Sequence, residues 1–288
     1  MANSGSGAGN GGTVGTGGAT NGGSIRIPKM NLMPYGIAYL HPRPAWRAVW
    51  LTVLLPGFGH FYAGFNLVGF VLMGWETLIN TQAHLNLAIY YSLLGDGAKA
   101  AQVLRLDWAI LYPFTYMYAM WDAYRVTVEG NKLCQLEERQ PERFFERAKL
   151  NPMMGINFID KRNPLIAVIS GLLVGGLGHL YNYRAVKAIM LTSWHIAVMV
   201  LSRAHTALAL TLTGQFEAAK QVVDYQWLLF LPSLVLFNAV NAYNDSQELN
   251  NLFDEEFEYR LRRYILNPSR PSPARRRQQA PYYLSPKQ

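Results

Sequence analysis

Apolar residues in this chain gather into six blocks, at about residues 45–63, 66–94, 108–127, 164–182, 185–210 and 227–246, separated by polar or basic connectors. None alternates apolar and polar positions over the length a barrel strand needs, so helices are expected. Inside lipid every backbone N–H and C=O must be paired within the chain, which also selects helices. After the third and sixth blocks the pattern changes. Residues 130–150 and 249–266 set apolar side chains at helical spacing among charges: Leu133, Leu136, Phe144, Phe145 and Ala148 in one, Phe253, Phe257, Leu261 and Tyr264 in the other. This predicts an amphipathic helix after each set of three blocks, with Pro141 breaking the first.

The two sets correspond at one constant offset, the 119 residues that separate His60 from His179. Pro56-Gly57-Phe58-Gly59-His60-Phe61-Tyr62 aligns with Gly175-Gly176-Leu177-Gly178-His179-Leu180-Tyr181. At the same spacing Trp75 meets Trp194, Gly95 meets Gly214, Trp108 meets Trp227, Pro113 meets Pro232, and Asn131 meets Asn250. Leu150-Asn151-Pro152 and Leu266-Asn267-Pro268 close the two amphipathic stretches. Self-similarity of this kind decides the fold class before any local reading. The chain divides into a Gly/Ser/Asn-rich tail (1–24) expected to be disordered, an irregular interfacial linker (25–44), unit 1 (45–152), unit 2 (153–268) and a basic, Pro-rich disordered tail (269–288).

Charge sharpens this picture. Charged residues make up 15% of the chain, against about 25% in soluble domains, and they are concentrated in the connectors. The net charge of +8 lies at Arg43 and Arg47, between Arg125 and Arg162, and from Arg260 to Arg277. Beside apolar spans such residues set topology and attract anionic lipid, so nucleic acid is not expected as a partner. A polytopic protein of the bacterial cytoplasmic membrane is expected. No cleavable signal peptide is read in the first 24 residues. The single cysteine, Cys134, excludes an intramolecular disulfide and a CxxC site, and is expected reduced in a cytoplasmic connector. Three crossings per unit would place the basic linker 125–163 outside; two crossings keep every basic region in the cytoplasm, with the termini. The first block, short and broken by glycines, is the one expected to be short or re-entrant.

Three groups of residues carry candidate chemistry. Gly57, Gly59, His60 and Tyr62, with Gly176, Gly178, His179 and Tyr181, form either a paired His site or a packing motif in which His and Tyr tie a turn. Glu76, Asn80 and His84 recur every four residues on one helix face; the aligned positions include His195 and Arg203. Read across a pseudo-two-fold axis, Glu76 opposite His195 or Arg203 is a proton or ion path, a salt bridge between units, or a near-surface group. Asp122, aligned with Asn241, is read as a helix-end anchor or local hydrogen-bond partner. No Walker loop, HExxH or zinc-spaced Cys/His cluster is present, so neither cofactor nor metal is expected.

The stretch from Pro56 to Gly64, an apolar helix, and then Trp121-Asp122-Ala123-Tyr124-Arg125 resemble the TM2-domain-like group of small bacterial membrane proteins. The second copy departs from that pattern at Gly175, Tyr183, Val240 and Asn241. The resemblance implies an integral membrane protein and carries no activity onto these residues. Together these readings give an all-α polytopic membrane protein of two tandem homologous three-segment units, each followed by an amphipathic helix. The leading function is non-enzymatic: a structural or interaction component docking protein partners through its amphipathic helices. The alternative is a small-solute or ion transporter or channel with a polar path between the units, and a lipid-directed enzyme ranks third.

Overall fold

A computed structural model describes residues 27–33, 36–140, 143, 145, 148–151, 155–158 and 160–266. Both expected disordered tails lie outside these residues, as do Pro141, Phe144, Pro152 and Asn267-Pro268. The described chain is dominated by helices, as expected. It opens with a short antiparallel hairpin, β1 (Met30–Met33) and β2 (Gly36–Tyr39). Then come α1 (Ala45–Leu54), α2 (Phe58–Ala63), α3 (Asn66–Ala83), α4 (Leu85–Leu93), α5 (Gly97–Val103), α6 (Leu106–Ala109) and α7 (Tyr112–Glu138). A second hairpin, β3 (Ala148–Asn151) and β4 (Gly155–Phe158), leads into α8 (Pro164–Leu173), α9 (Leu177–Tyr181), α10 (Ala185–Leu201) and α11 (Ala204–Leu212). The chain ends in α12 (Phe216–Val222), α13 (Tyr225–Leu228) and α14 (Phe230–Leu266).

Four local expectations are corrected. The linker 25–44 is not irregular throughout, because 30–39 forms the first hairpin. The helix expected over 130–150 is the end of α7 and stops at Glu138; Leu150-Asn151 belongs to β3 instead. The stretch 249–266 is the continuation of α14, since no Gly or Pro follows Pro232 to interrupt it. Cys134 lies within α7 and is buried.

The first block folds back on itself. Leu55 ends α1 in an extended conformation, and Gly57 then takes a left-handed one (φ 104°) that only glycine adopts without strain. A side chain on Gly57 would strike the Gly69 carbonyl of α3. The Asn131 carboxamide on α7 holds both backbone groups of Arg43 at the entry to α1, at 2.8 and 2.7 Å. The Arg43 guanidinium lies 6.0 Å from the centre of the Tyr62 ring at the end of α2. The chain therefore returns at Tyr62 to the level it left at Arg43. The second half does the same: Gly176 has φ 97°, Asn250 clamps Arg162 at 2.7 and 2.9 Å, and the Asn163 N–H donates to the Tyr181 hydroxyl at 3.2 Å.

From that level α3 runs away and α7 runs back. At the far end α3 stops at His84, a left-handed residue (φ 52°), and α4, α5 and α6 form a small cap. The Arg105 N–H then donates to the Ala83 carbonyl (3.0 Å), returning the chain to the end of α3. Asp224 and Ser202 repeat this bond at 3.0 Å. Among the described residues no single helix is long and apolar enough to cross a membrane. Two bent pairs are, together: Ala185–Leu201 with Ala204–Leu212, and Phe216–Val222 with Tyr225–Leu266.

Gly59 faces the Ala48 carbonyl, the Thr52 hydroxyl and the Ala123 methyl, leaving no room for a side chain, whereas nothing lies within 4 Å of a methyl built on Gly74. Gly59→Ala should lower the unfolding free energy by about 1–3 kcal/mol through overpacking. Gly74→Ala should leave it unchanged or raise it by about 0.5–1 kcal/mol. Denaturant unfolding of the two purified variants beside the parent checks both.

Candidate functional site

The two halves meet along an apolar seam closed by polar clusters. Leu55, Phe58, Phe61 and Met73 of the first half pack with Leu191, Val198, Phe230, Leu234 and Phe237 of the second. Phe58 and Phe237 stack with ring centres 3.8 Å apart, and Phe70 meets Trp194 edge-on at 5.9 Å. Above the seam, at the cap end, Tyr90 stacks on Tyr225 at 4.1 Å.

The Glu76 cluster lies near that end. Glu76 is fully buried and accepts from Asn80 Nδ2 (3.0 Å) and the Tyr112 hydroxyl (2.9 Å). Asn80 Nδ2 also reaches Asn86 Oδ1 at 3.1 Å. Gln226 enters from the second half: its Nε2 donates to Asn80 Oδ1 (2.9 Å), and its Oε1 accepts the Leu87 N–H (2.9 Å). The Asn86 carboxamide donates to the Gln226 carbonyl at 3.0 Å. The structure thus joins Glu76 to Asn80 but not to the other members of the expected polar face. His84 and Arg203 are exposed at the breaks after α3 and α10, both with positive φ. His195 is half-buried beside Gly175 and Asn238, and no hydrogen bond links it to Glu76 among the described residues. Gln226 was missed because a lone glutamine in a short polar connector gives no sequence signal.

The two motif histidines are buried and each meets an acid, but not the equivalent acid. His60 Nε2 lies 3.1 Å from Asp122 Oδ2, and Arg125 Nε donates to the other oxygen at 3.0 Å. In the second half Asp122 is replaced by Asn241, and the acid sits one turn later. His179 Nδ1 lies 2.8 Å from Asp245 Oδ2. Lys187 Nζ, also buried, donates to Asn241 Oδ1 at 2.7 Å and to both Asp245 oxygens at 3.2 Å. Asp245 and Lys187 were absent from the sequence-derived site. The available signal was spacing, since residues four apart share a helix face. Tyr62 and Tyr181 hold the turns to Arg43 and Arg162, and Gly57, Gly59, Gly176 and Gly178 are contact points between backbones, so these motif residues act in packing.

Opposite the cap end, a cavity of about 760 Å³ opens between the halves, with Arg43, Tyr62, Asn66, Cys134, Lys187 and Asp245 among its lining. Beside it, Glu248 collects three partners: Arg43 (3.1 and 3.3 Å), Arg184 (3.0 Å) and His41 Nε2 (3.1 Å). Burial opposes charge on Glu248, but Arg43 above all, then His41 and Arg184, hold its carboxyl down at about 2. Burial pushes the His41 imidazole below the ordinary histidine range, against the pull of Glu248. Burial also pushes the Cys134 thiol up, away from the thiolate a nucleophile needs. Among the described residues no group of three or more His, Cys, Asp or Glu side chains is disposed to hold a metal. The arrangement offers fixed, mutually paired charges that lock two halves together.

Removing one member of a buried ion pair costs about 3–5 kcal/mol, because its partner keeps its charge. Glu248→Gln should destabilise the protein by that order. The depressed carboxyl contributes stability that is present above about pH 4.5 and lost as pH falls toward about 2. Glu248→Gln should therefore flatten the acid limb of the stability–pH curve, measured by thermal unfolding across that range.

Compared with known proteins, the chain matches no family model, no curated protein and no solved structure, so its resemblance to the TM2-domain-like group rests on the motif residues alone.

Proposed function

We propose that this protein is a non-enzymatic structural component of a bacterial cytoplasmic membrane, built from two tandem copies of one unit. The observation that carries this reading is the inversion of polarity between inside and outside. Glu76, Asn80, His60, Asp122, His179 and Lys187 are buried, while Trp46, Trp50, Trp75, Phe114, Trp121 and Ile189 are more than half exposed. Water would select the reverse; hydrocarbon selects this arrangement, because ionisable groups in lipid turn toward protein partners. On α3, Leu67, Val71, Trp75 and Leu78 form one exposed apolar stripe, and Glu76 and Asn80 lie on the inner side. Inward polar residues of this kind lower a helix's mean hydropathy without meeting lipid.

In this reading each unit contributes a re-entrant pair (α1–α2, α8–α9) and two crossing helices (α3 and α7, α10 and α14), so the units run parallel. The cap segments at 84–111 and 202–229 carry Lys99, Arg105, Arg203 and Lys220, balanced by Asp96, Asp107, Glu217 and Asp224. The remaining basic connectors lie toward the opposite end, the cytoplasmic side by the positive-inside rule, where anionic lipid is their partner. The ends of α7 and α14 reach into that compartment with Leu133, Leu136, Phe257, Leu261 and Ile265 exposed, a surface for other proteins. A transport path required Glu76, His84, His195 and Arg203 to share a water-accessible cavity. His84 and Arg203 are exposed, Glu76 is fully buried, and no hydrogen bond or ion pair joins the four among the described residues, so we do not favour it.

Lys99→Cys and Asp160→Cys, each in a Cys134→Ala background, test the topology with a membrane-impermeant maleimide. Cys at 99 should be labelled on intact cells, and Cys at 160 only after permeabilisation, with the protein retained in membranes after alkaline carbonate washing. Labelling at 160 on intact cells, or release by carbonate, refutes the proposal.

A further inference from the structure

The seam between the halves is one-directional. The first half contributes α2, α3 and α4, and the second contributes α10, α13 and α14. If the seam were two-fold, each contact would occur again with the halves exchanged. Among the described residues, the exchanged counterparts of the three ring contacts do not form. Phe58–Phe237 would be matched by Leu177–Tyr118, yet both residues are exposed. Phe70–Trp194 would be matched by Ile189–Trp75, and Tyr90–Tyr225 by Ala209–Leu106; all four are exposed. The second half thus carries an unused version of the face that the first half has engaged, and the first half an unused version of its partner face.

The unused faces are also complementary to each other. Leu177, Ile189 and Ala209 stand where Phe58, Phe70 and Tyr90 make their contacts, and Tyr118, Trp75 and Leu106 stand where their partners lie, so apolar meets apolar. Two of the polar contacts are replaced by an acid and a base. Arg43–Glu248 becomes Arg162–Glu129, and Asn86–Gln226 becomes His205–Asp107. Glu129 and Asp107 are exposed, paired with Arg125 and Arg105 of their own half, and Arg162 lies against the Tyr181 and Tyr183 rings. Each of these two exchanges sets a base against an acid, whereas His41–Glu248 would become Asp160–Glu129 and Asn80–Gln226 would become Met199–Asp107.

We propose that these faces bind a second copy of this chain, head to tail, the second half of one molecule docking on the first half of the next as the halves dock within one molecule. A heterologous contact of this type closes into a ring when its rotation permits and otherwise extends as a string. The proposal rests on the reading of the chain as two tandem membrane units, and gives the structural role its partner.

Paired cysteines in the Cys134→Ala protein, in membranes at low expression and treated with a short bis-maleimide, test it. Ala209→Cys/Leu106→Cys and Leu177→Cys/Tyr118→Cys should give covalent dimers, or a ladder of larger species, several-fold above the off-face pair Trp46→Cys/Leu165→Cys. Each single variant should stay monomeric, and the two singles of a pair, co-expressed, should form a dimer. Tyr90→Cys/Tyr225→Cys should bridge within one chain. If that internal pair bridges but the intermolecular pairs do not exceed the off-face pair, the free faces meet lipid and the head-to-tail contact is refuted, with the tandem-unit reading intact. Dimers from a single variant alone refute it in favour of a two-fold contact. Failure of the internal pair to bridge removes the tandem packing itself, and the proposal with it.

Discussion

The fold depends on a backbone reversal inside the bundle. α1 enters, stops at Leu55, and α2 returns, all within the span from Arg43 to Tyr62. This requires two chain segments and α3 to approach more closely than side chains allow, and glycine at 57 and 59 meets that requirement. Once the first block has turned back, only α3 and α7 remain to run the full depth of the unit, and the same arithmetic holds for α10 and α14. The number of long helices in each half and the side on which the hairpins lie both descend from it.

The buried polar groups are arranged around that reversal rather than along a path. His60 and His179 sit on the returning helices and find acids on α7 and α14; Arg43, at the entry, is held by Glu248 of the other half. In a low-dielectric interior such pairs are strong when complete and costly when broken, which favours register over movement. Glu76 is likewise enclosed by Asn80, Tyr112 and, through Asn80, Gln226.

Much of this architecture was legible in the sequence. The constant offset announced matching elements, and the Gly-x-Gly-His-x-Tyr stretches announced the turns. The hairpins at 30–39 and 148–158 were not legible, because strands of four residues are too short for an alternation signal. The long extent of α14 was obscured by its change from apolar to charged composition, although nothing in it breaks a helix. The suggested Glu76–His195 pair failed for a geometric reason. Equivalent positions face each other only across a two-fold axis, and a one-directional seam instead sets Asn80, the partner of Glu76, against the other half's Gln226. The shift of the acid from Asp122 to Asp245 escaped alignment because a helix offers the same face again one turn on.

Asn131 and Asn250 have a further consequence. Each carboxamide presents one donor and one acceptor to the backbone of a single residue, as a neighbouring strand would, so a side chain stands in for a peptide group. An aspartate has two acceptors and would repel the carbonyl it faces. Spontaneous deamidation at either position would then unlatch the entry of α1 or α8 from the long helix beside it.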